Sequence, residues 1–121
     1  MALSVTPQAS PLGANLIQET SSSSTVVANA TGAAATLHMV DIDNAANGSA
    51  VYLKIYDNAA PTVGTTAADM VFRCAGSSRR VYALPTGELL ANALSFATVT
   101  GAAESSTTSP GSAVIVRVLT S

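Results

Sequence analysis

AVYLKIYD, residues Ala50 to Asp57, decides the fold class. Val51, Leu53 and Ile55 alternate with Tyr52, Lys54 and Tyr56, a period of two that puts successive side chains on opposite faces of a strand. The aliphatic trio is expected to face a core, and Tyr52, Lys54 and Tyr56 to form an outward, amphipathic contact face. The next stretch, NAAPTVGTTAAD (58–69), carries Pro61 and Gly64 and reads as a loop.

The same grammar continues on both sides. Upstream, ATLHMVDID (35–43) reads as a strand whose apolar phase shifts between Met39 and Val40, as a β-bulge would cause. NAANGS (44–49) supplies turn chemistry, and Asn47-Gly48 suits left-handed turn positions, so residues 35–57 are expected to form a hairpin. Thr25 to Ala30 is a weaker strand. Downstream, MVFRC (70–74), RRVYAL (79–84) and LSFATVT (94–100) read as strands, whereas PTGELLANA (85–93), with Pro85 and Gly87, favours an irregular crossover. GAAESSTTSPGS (101–112) is a polar loop. AVIVRVL (113–119) is apolar on both faces, which suits a central strand or a covered edge.

Six or seven short strands, turn signals every 8 to 14 residues and no convincing helix predict an all-β fold. The expected architecture is an antiparallel β-sandwich, jelly-roll-like or immunoglobulin-like, with a small open barrel as the runner-up.

Residues 1–24 read differently, as an extended N-terminal arm preceding a β-sandwich domain at 25–121. Pro7, Pro11, Gly13 and the serine run 21–24 break any regular pattern. Leu3, Val5, Leu12, Leu16 and Ile17 are apolar, so the arm is expected to lie on a neighbouring subunit. Fully extended it reaches roughly 80 Å at about 3.3 Å per residue.

Composition narrows the function classes. In 121 residues only 10% are charged while 48% are apolar, against an ordinary charged share of about 25%. A surface so poor in charge suits assembly against other protein. Net charge is −2 and the cations are scattered except for Arg79-Arg80, which argues against nucleic-acid binding; that pair is a candidate for meeting an acidic neighbour. No apolar run approaches a membrane span of about 18 residues, and residues 1–18 lack the marks of a secretion signal. The single cysteine, Cys74, excludes an internal disulfide and alternates with Phe72 and Met70 as a packing residue.

Catalytic apparatus is not visible. His38 is the sole histidine, and Asp41, three residues on, falls on the opposite strand face, so no oriented triad is expected. Asp41, Asp43, Asn44, Asp57 and Asn58 offer a partial oxygen set for Ca²⁺ without EF-hand spacing. Neither cofactor nor metal is expected, and the chain is not expected to be an enzyme. Asn29-Ala30-Thr31 and Asn47-Gly48-Ser49 match the glycosylation pattern, which carries no meaning without a secretory route.

The run VYLKIYDNAAPTVGTTAADMVF, followed after a turn by RRVYALPTGELLANALSFATVTGAAESSTTSP, resembles small β-rich structural proteins of tailed bacteriophages, cyanobacterial phages among them. The features that carry the resemblance are Tyr52 to Tyr56, Ala60 to Thr65, Ala75 to Ser77, Leu94 to Thr98 and Gly101 to Thr108. It departs at Arg73 to Arg80, where CAGSSRR replaces an uncharged, proline-rich turn. The resemblance implies a virion component made in the host cytoplasm, specifically a capsid cement or decoration protein on the head shell. Its implied partners are the major capsid protein and further copies of itself, with a homotrimer favoured. The alternatives are a tail, neck or baseplate protein, and a carbohydrate-binding β-sandwich for host attachment that would use Tyr52 and Tyr56.

Overall fold

The computed structural model describes residues 2–7 and 14–121. Among them the chain is all β, and no helix is long and apolar enough to cross a membrane. Eight strands form two antiparallel sheets: β1 (Leu3–Pro7), β2 (Asn15–Ser22), β3 (Ala35–Asp43), β4 (Val51–Asp57), β5 (Met70–Cys74), β6 (Arg79–Leu90), β7 (Leu94–Val99) and β8 (Val114–Thr120). The larger sheet runs β1-β2-β8-β3-β6 and the smaller β5-β4-β7. Both contribute to one buried cluster, an arrangement consistent with a β-sandwich.

Alternation decides which side chains meet there. Ile17 comes from β2, Val40 and Ile42 from β3, and Val114, Val116 and Val118 from β8. Opposite them lie Val51, Leu53 and Ile55 of β4, Cys74 of β5, and Leu94 and Phe96 of β7. The aliphatic face of AVYLKIYD is therefore core, as its period requires. Cys74 is fully buried, and burial pushes its thiol pKa up.

Four expectations need correction. Within the expected arm, the described strand residues do not lie free: Asn15–Ser22 is built into the larger sheet between β1 and β8, with Ile17 and Glu19 buried. The serine run did not prevent this, because Ser22 finds a buried hydroxyl partner in Thr98 at 2.7 Å. Second, β3 and β4 are not a hairpin; the 44–50 segment carries the chain from the larger sheet to the smaller, where β4 pairs with β5 and β7. Third, Thr25–Ala30 is no regular strand. It runs along the β7 edge, with a single bridge of Val27 to Phe96 closed by backbone bonds of 2.8 and 3.0 Å. Fourth, 85–90 is no crossover but the continuation of β6. As an edge strand β6 tolerates Pro85, and Gly87 takes φ +73°, where a Cβ would sit 2.5 Å from Thr36 Cγ2. A register break does occur in β3, but at His38 between Leu37 and Met39 and not between Met39 and Val40 as expected, and β8 is a central strand.

Candidate functional site

In the smaller sheet β4 and β7 are buried on both faces, whereas Val71 and Arg73 of β5 are exposed. The sheet's inner face meets the core; its outer face lies beneath the 58–69 and 101–109 loops. Lys54 explains how the second loop is held. Its ammonium donates to the carbonyls of Ala103, Glu104 and Ser106 at 2.9, 3.0 and 3.2 Å. Three convergent carbonyls suit a cation with three donors, and burial lowers the Lys54 pKa while Glu104 opposes that shift. Tyr56, on the same face, is fully buried, and its hydroxyl has no hydrogen-bond partner among the described residues. Its pKa is raised, first by burial and then by Glu104. The loops also meet each other: a Cβ at Gly64, where φ is +89°, would sit 2.5 Å from Thr107 Cγ2.

Asp57, at the end of β4, fixes the turn between β6 and β7. Its carboxylate accepts from the backbone N–H groups of Asn92 (2.8 Å), Ala91 (3.1 Å) and Ala93 (3.4 Å). These bonds, that of Asn92 foremost, lower its pKa against a smaller desolvation effect.

On the outer face of the larger sheet, paired positions bring charges together that lie far apart in sequence. Gln18, Arg117 and Asp41 follow one another across β2, β8 and β3. Asp41 is buried, and Arg79 reaches it from β6 through Nε at 2.9 Å and Nη2 at 2.5 Å. Arg117 donates to Gln18 at 3.0 Å and stands 3.7 Å from the same carboxylate. The Asp41 hydrogen bond raises the Arg79 pKa. Leu16, Leu119, Met39 and Ala83 form the adjacent apolar row.

β1 forms one edge of the larger sheet. Among the described residues it pairs with β2 alone, all five of its residues are exposed, and LSVTP contains no charge. Leu3 is 40% and Val5 51% exposed. Val5 pairs with Ile17 and Leu3 with Glu19, so both sit on the core-facing side of the sheet but lie beyond its cover. Glu19 secures the hairpin: Oε1 accepts from Ala2 N at 2.8 Å and Ser21 N at 3.0 Å.

Of the ten expected contact residues, Leu3 and Val5 stand open on β1, Leu16 is half-buried on the outer face, and Leu12 lies outside the described residues. Ile17, Lys54 and Tyr56 are corrected from contact residues to interior ones. Tyr52 is half-buried. Arg79 is held by Asp41, while Arg80 is exposed with its guanidinium 5.9 Å from the Tyr82 ring centroid.

The oxygen-bearing residues considered for Ca²⁺ are engaged separately. Asp41 binds Arg79, Asp57 the 91–93 backbone, Asp43 the N–H of Ala45, and Asn58 that of Ala60. Among the described residues no group of three His, Cys, Asp or Glu side chains could hold a metal ion. His38 meets Ser121 Oγ at 2.6 Å.

No protein-family model matches the chain, and neither a curated protein nor a solved structure matches it.

Proposed function

We propose that the chain is a non-catalytic structural protein of a tailed-phage virion, a capsid cement or decoration protein that stabilises the head shell. The observation that carries the reading is β1, an exposed, charge-free strand edge. Proteins that stay alone in solution guard such edges with lysine, bulges or covering loops. Among the described residues β1 carries no lysine, and only Pro7, at its end, is of a type that blunts an edge. A neighbour's strand added at β1 would complete its backbone hydrogen bonds and cover Leu3 and Val5.

Strand order supports the same reading. With the Val27 segment counted beside β7, the sheets run β2-β8-β3-β6 and Val27-β7-β4-β5, flanked by β1. That is the order of two interlocked Greek keys, so of the two expected sandwich types the jelly roll is favoured. It is an architecture shared by viral capsid proteins and lectins, and its bearing on function is by analogy of fold. The lectin alternative is weakened by Tyr56, which lies inside and cannot pair with Tyr52 as a sugar platform. In this proposal the contact with a neighbouring subunit expected of residues 1–24 falls to the free edge of β1. The partners in this proposal are the major capsid protein and further copies of the chain, with a closed trimer favoured over a monomer. Binding to the assembled shell but not to its free subunits would stabilise the shell by mass action.

Co-sedimentation with empty phage heads tests this, using the intact chain and Val5→Lys. Lysine on an exposed edge leaves the fold intact and obstructs strand addition. The proposal expects shell binding by the intact chain and a loss on the order of tenfold or more in Val5→Lys, a factor that corresponds to about 1.4 kcal/mol. Failure of the intact chain to bind any head preparation would overturn the proposal. Equal binding by both proteins would remove β1 from it.

A further inference from the structure

Asn47 is followed by glycine, unlike the other five asparagines, which precede Ala or Leu. An Asn-Gly pair is chemically labile because the glycine nitrogen can reach the asparagine side-chain carbonyl without hindrance from a Cβ. In this fold the asparagine is pinned. Asn47 Nδ2 donates to Asn44 Oδ1 at 2.9 Å and to Ser112 O at 3.1 Å, and Asn47 Oδ1 accepts from Ser112 N at 2.8 Å. Its backbone carbonyl accepts from Ser77 N at 2.7 Å. Asn44, fully buried, donates to Ser49 O at 2.9 Å and Ala75 O at 3.1 Å. The knot thus joins the segments before β4, β6 and β8 at one end of the two sheets.

We propose that Asn47-Gly48 is a latent deamidation site, protected while this knot is closed and unable to restore it once deamidated. The Gly48 backbone nitrogen attacks Asn47 Cγ. A new C–N bond forms, the Gly48 amide proton passes to water, and the bond to Nδ2 breaks, releasing ammonia. Water then opens the cyclic imide to aspartate or isoaspartate. Ring closure requires the Asn47 side chain to leave Asn44 and Ser112, so the rate in the folded chain follows opening of the knot. The product is self-locking. A carboxylate cannot donate to Asn44 Oδ1 or Ser112 O, both acceptors, and would meet them with repulsion instead of two hydrogen bonds. Isoaspartate also lengthens the backbone by one atom where Gly76 packs against Gly48: a Cβ at Gly76 would lie 2.2 Å from Gly48 O. The modification therefore converts a transient opening of this end into a permanent one.

The test incubates the intact chain in mildly alkaline buffer, folded and in denaturant, and follows by peptide mass spectrometry the mass gain that exchanges ammonia for water. The expected result is deamidation at Asn47 before the other asparagines in denaturant, and on the order of a hundredfold slower in the folded protein, equivalent to about 2.8 kcal/mol of opening free energy. Gly48→Ala, whose Cβ meets nothing within 4 Å, should keep the melting temperature and suppress the reaction in denaturant. Asn47→Asp should lower the melting temperature and speed hydrogen exchange at the Ser77 and Ser112 amides. Equal rates in folded and denatured chain, prior reaction at another asparagine in denaturant, or an Asn47→Asp protein as stable as the parent would each overturn the inference.

Discussion

Replacing Lys54 by methionine keeps most of the side-chain volume and removes the ammonium. Three carbonyls, those of Ala103, Glu104 and Ser106, lose their donor. Singly, a hydrogen bond to a charged group contributes about 1.5–3 kcal/mol net, but two effects reduce the total. The ammonium is held at a desolvation cost, visible in its lowered pKa, and the freed carbonyls can rehydrate if the loop lifts. Lifting in turn exposes the outer face of the smaller sheet, where Tyr56 and Ala97 are buried. The expected net loss is about 2–4 kcal/mol, a large share of a typical 5–15 kcal/mol domain stability. Urea unfolding at neutral pH measures it, and limited proteolysis reports whether 101–109 becomes the first site cut. A Lys54→Met protein within about 0.5 kcal/mol of the parent, with the loop equally resistant, would refute the claim that Lys54 holds the loop down.

Other expectations come from the same region and its neighbours. Tyr56→Phe removes a buried hydroxyl without a partner and should raise stability by about 1 kcal/mol in urea unfolding. The raised Tyr56 pKa has a definite sign: above the unfolded value, 10.0, the unfolded chain releases a proton that the folded chain keeps, so stability falls as pH rises. Stability curves taken through alkaline pH should show that fall in the parent and lack its tyrosine component in Tyr56→Phe. Asp57→Ala should cost about 1–2 kcal/mol at neutral pH, as loss of a carboxylate cap does. Because the folded-state pKa of Asp57 is lowered, its contribution is present above the unfolded value, 3.8, and disappears as pH falls through the folded value; parent and variant should therefore converge in acid. Gly76→Ala places a Cβ 2.2 Å from the Gly48 carbonyl oxygen and should destabilise by about 1–3 kcal/mol, read as a lowered melting temperature.

Much of the strand layout was legible because side-chain period is a local property. Val51, Leu53 and Ile55 declared their face, Val114, Val116 and Val118 theirs, and both sets are core. The lid over the smaller sheet was not legible. Lys54 is held by backbone carbonyls, which leave no mark in the identities of Ala103, Glu104 and Ser106. A lysine between two buried aliphatic residues looks the same whether it points at water or at a loop. The Asn15–Ser22 strand was missed because Glu19 and Ser22 are polar at inward positions: Ser22 meets Thr98 and Glu19 Oε1 accepts from two backbone N–H groups, while Glu19 Oε2 has no partner among the described residues. The Asp41 and Arg79 pair depends on β3 and β6 being neighbours, a matter of sheet order. One signal was available: Asn44 and Asn47 fall three apart in a Gly-containing turn, a spacing at which side chains can bond each other and the loop backbone.

If the chain is a phage head protein as proposed, an electron-microscopy map of the particle will show it there. The expected result is two-sheet density for this chain on the outer surface of the head, repeated with the shell's symmetry, with Leu3 to Pro7 paired along its free edge to a strand of a neighbouring chain. Density for the chain confined to the tail or baseplate, or particles that lack it altogether, would rule out a head-shell cement protein.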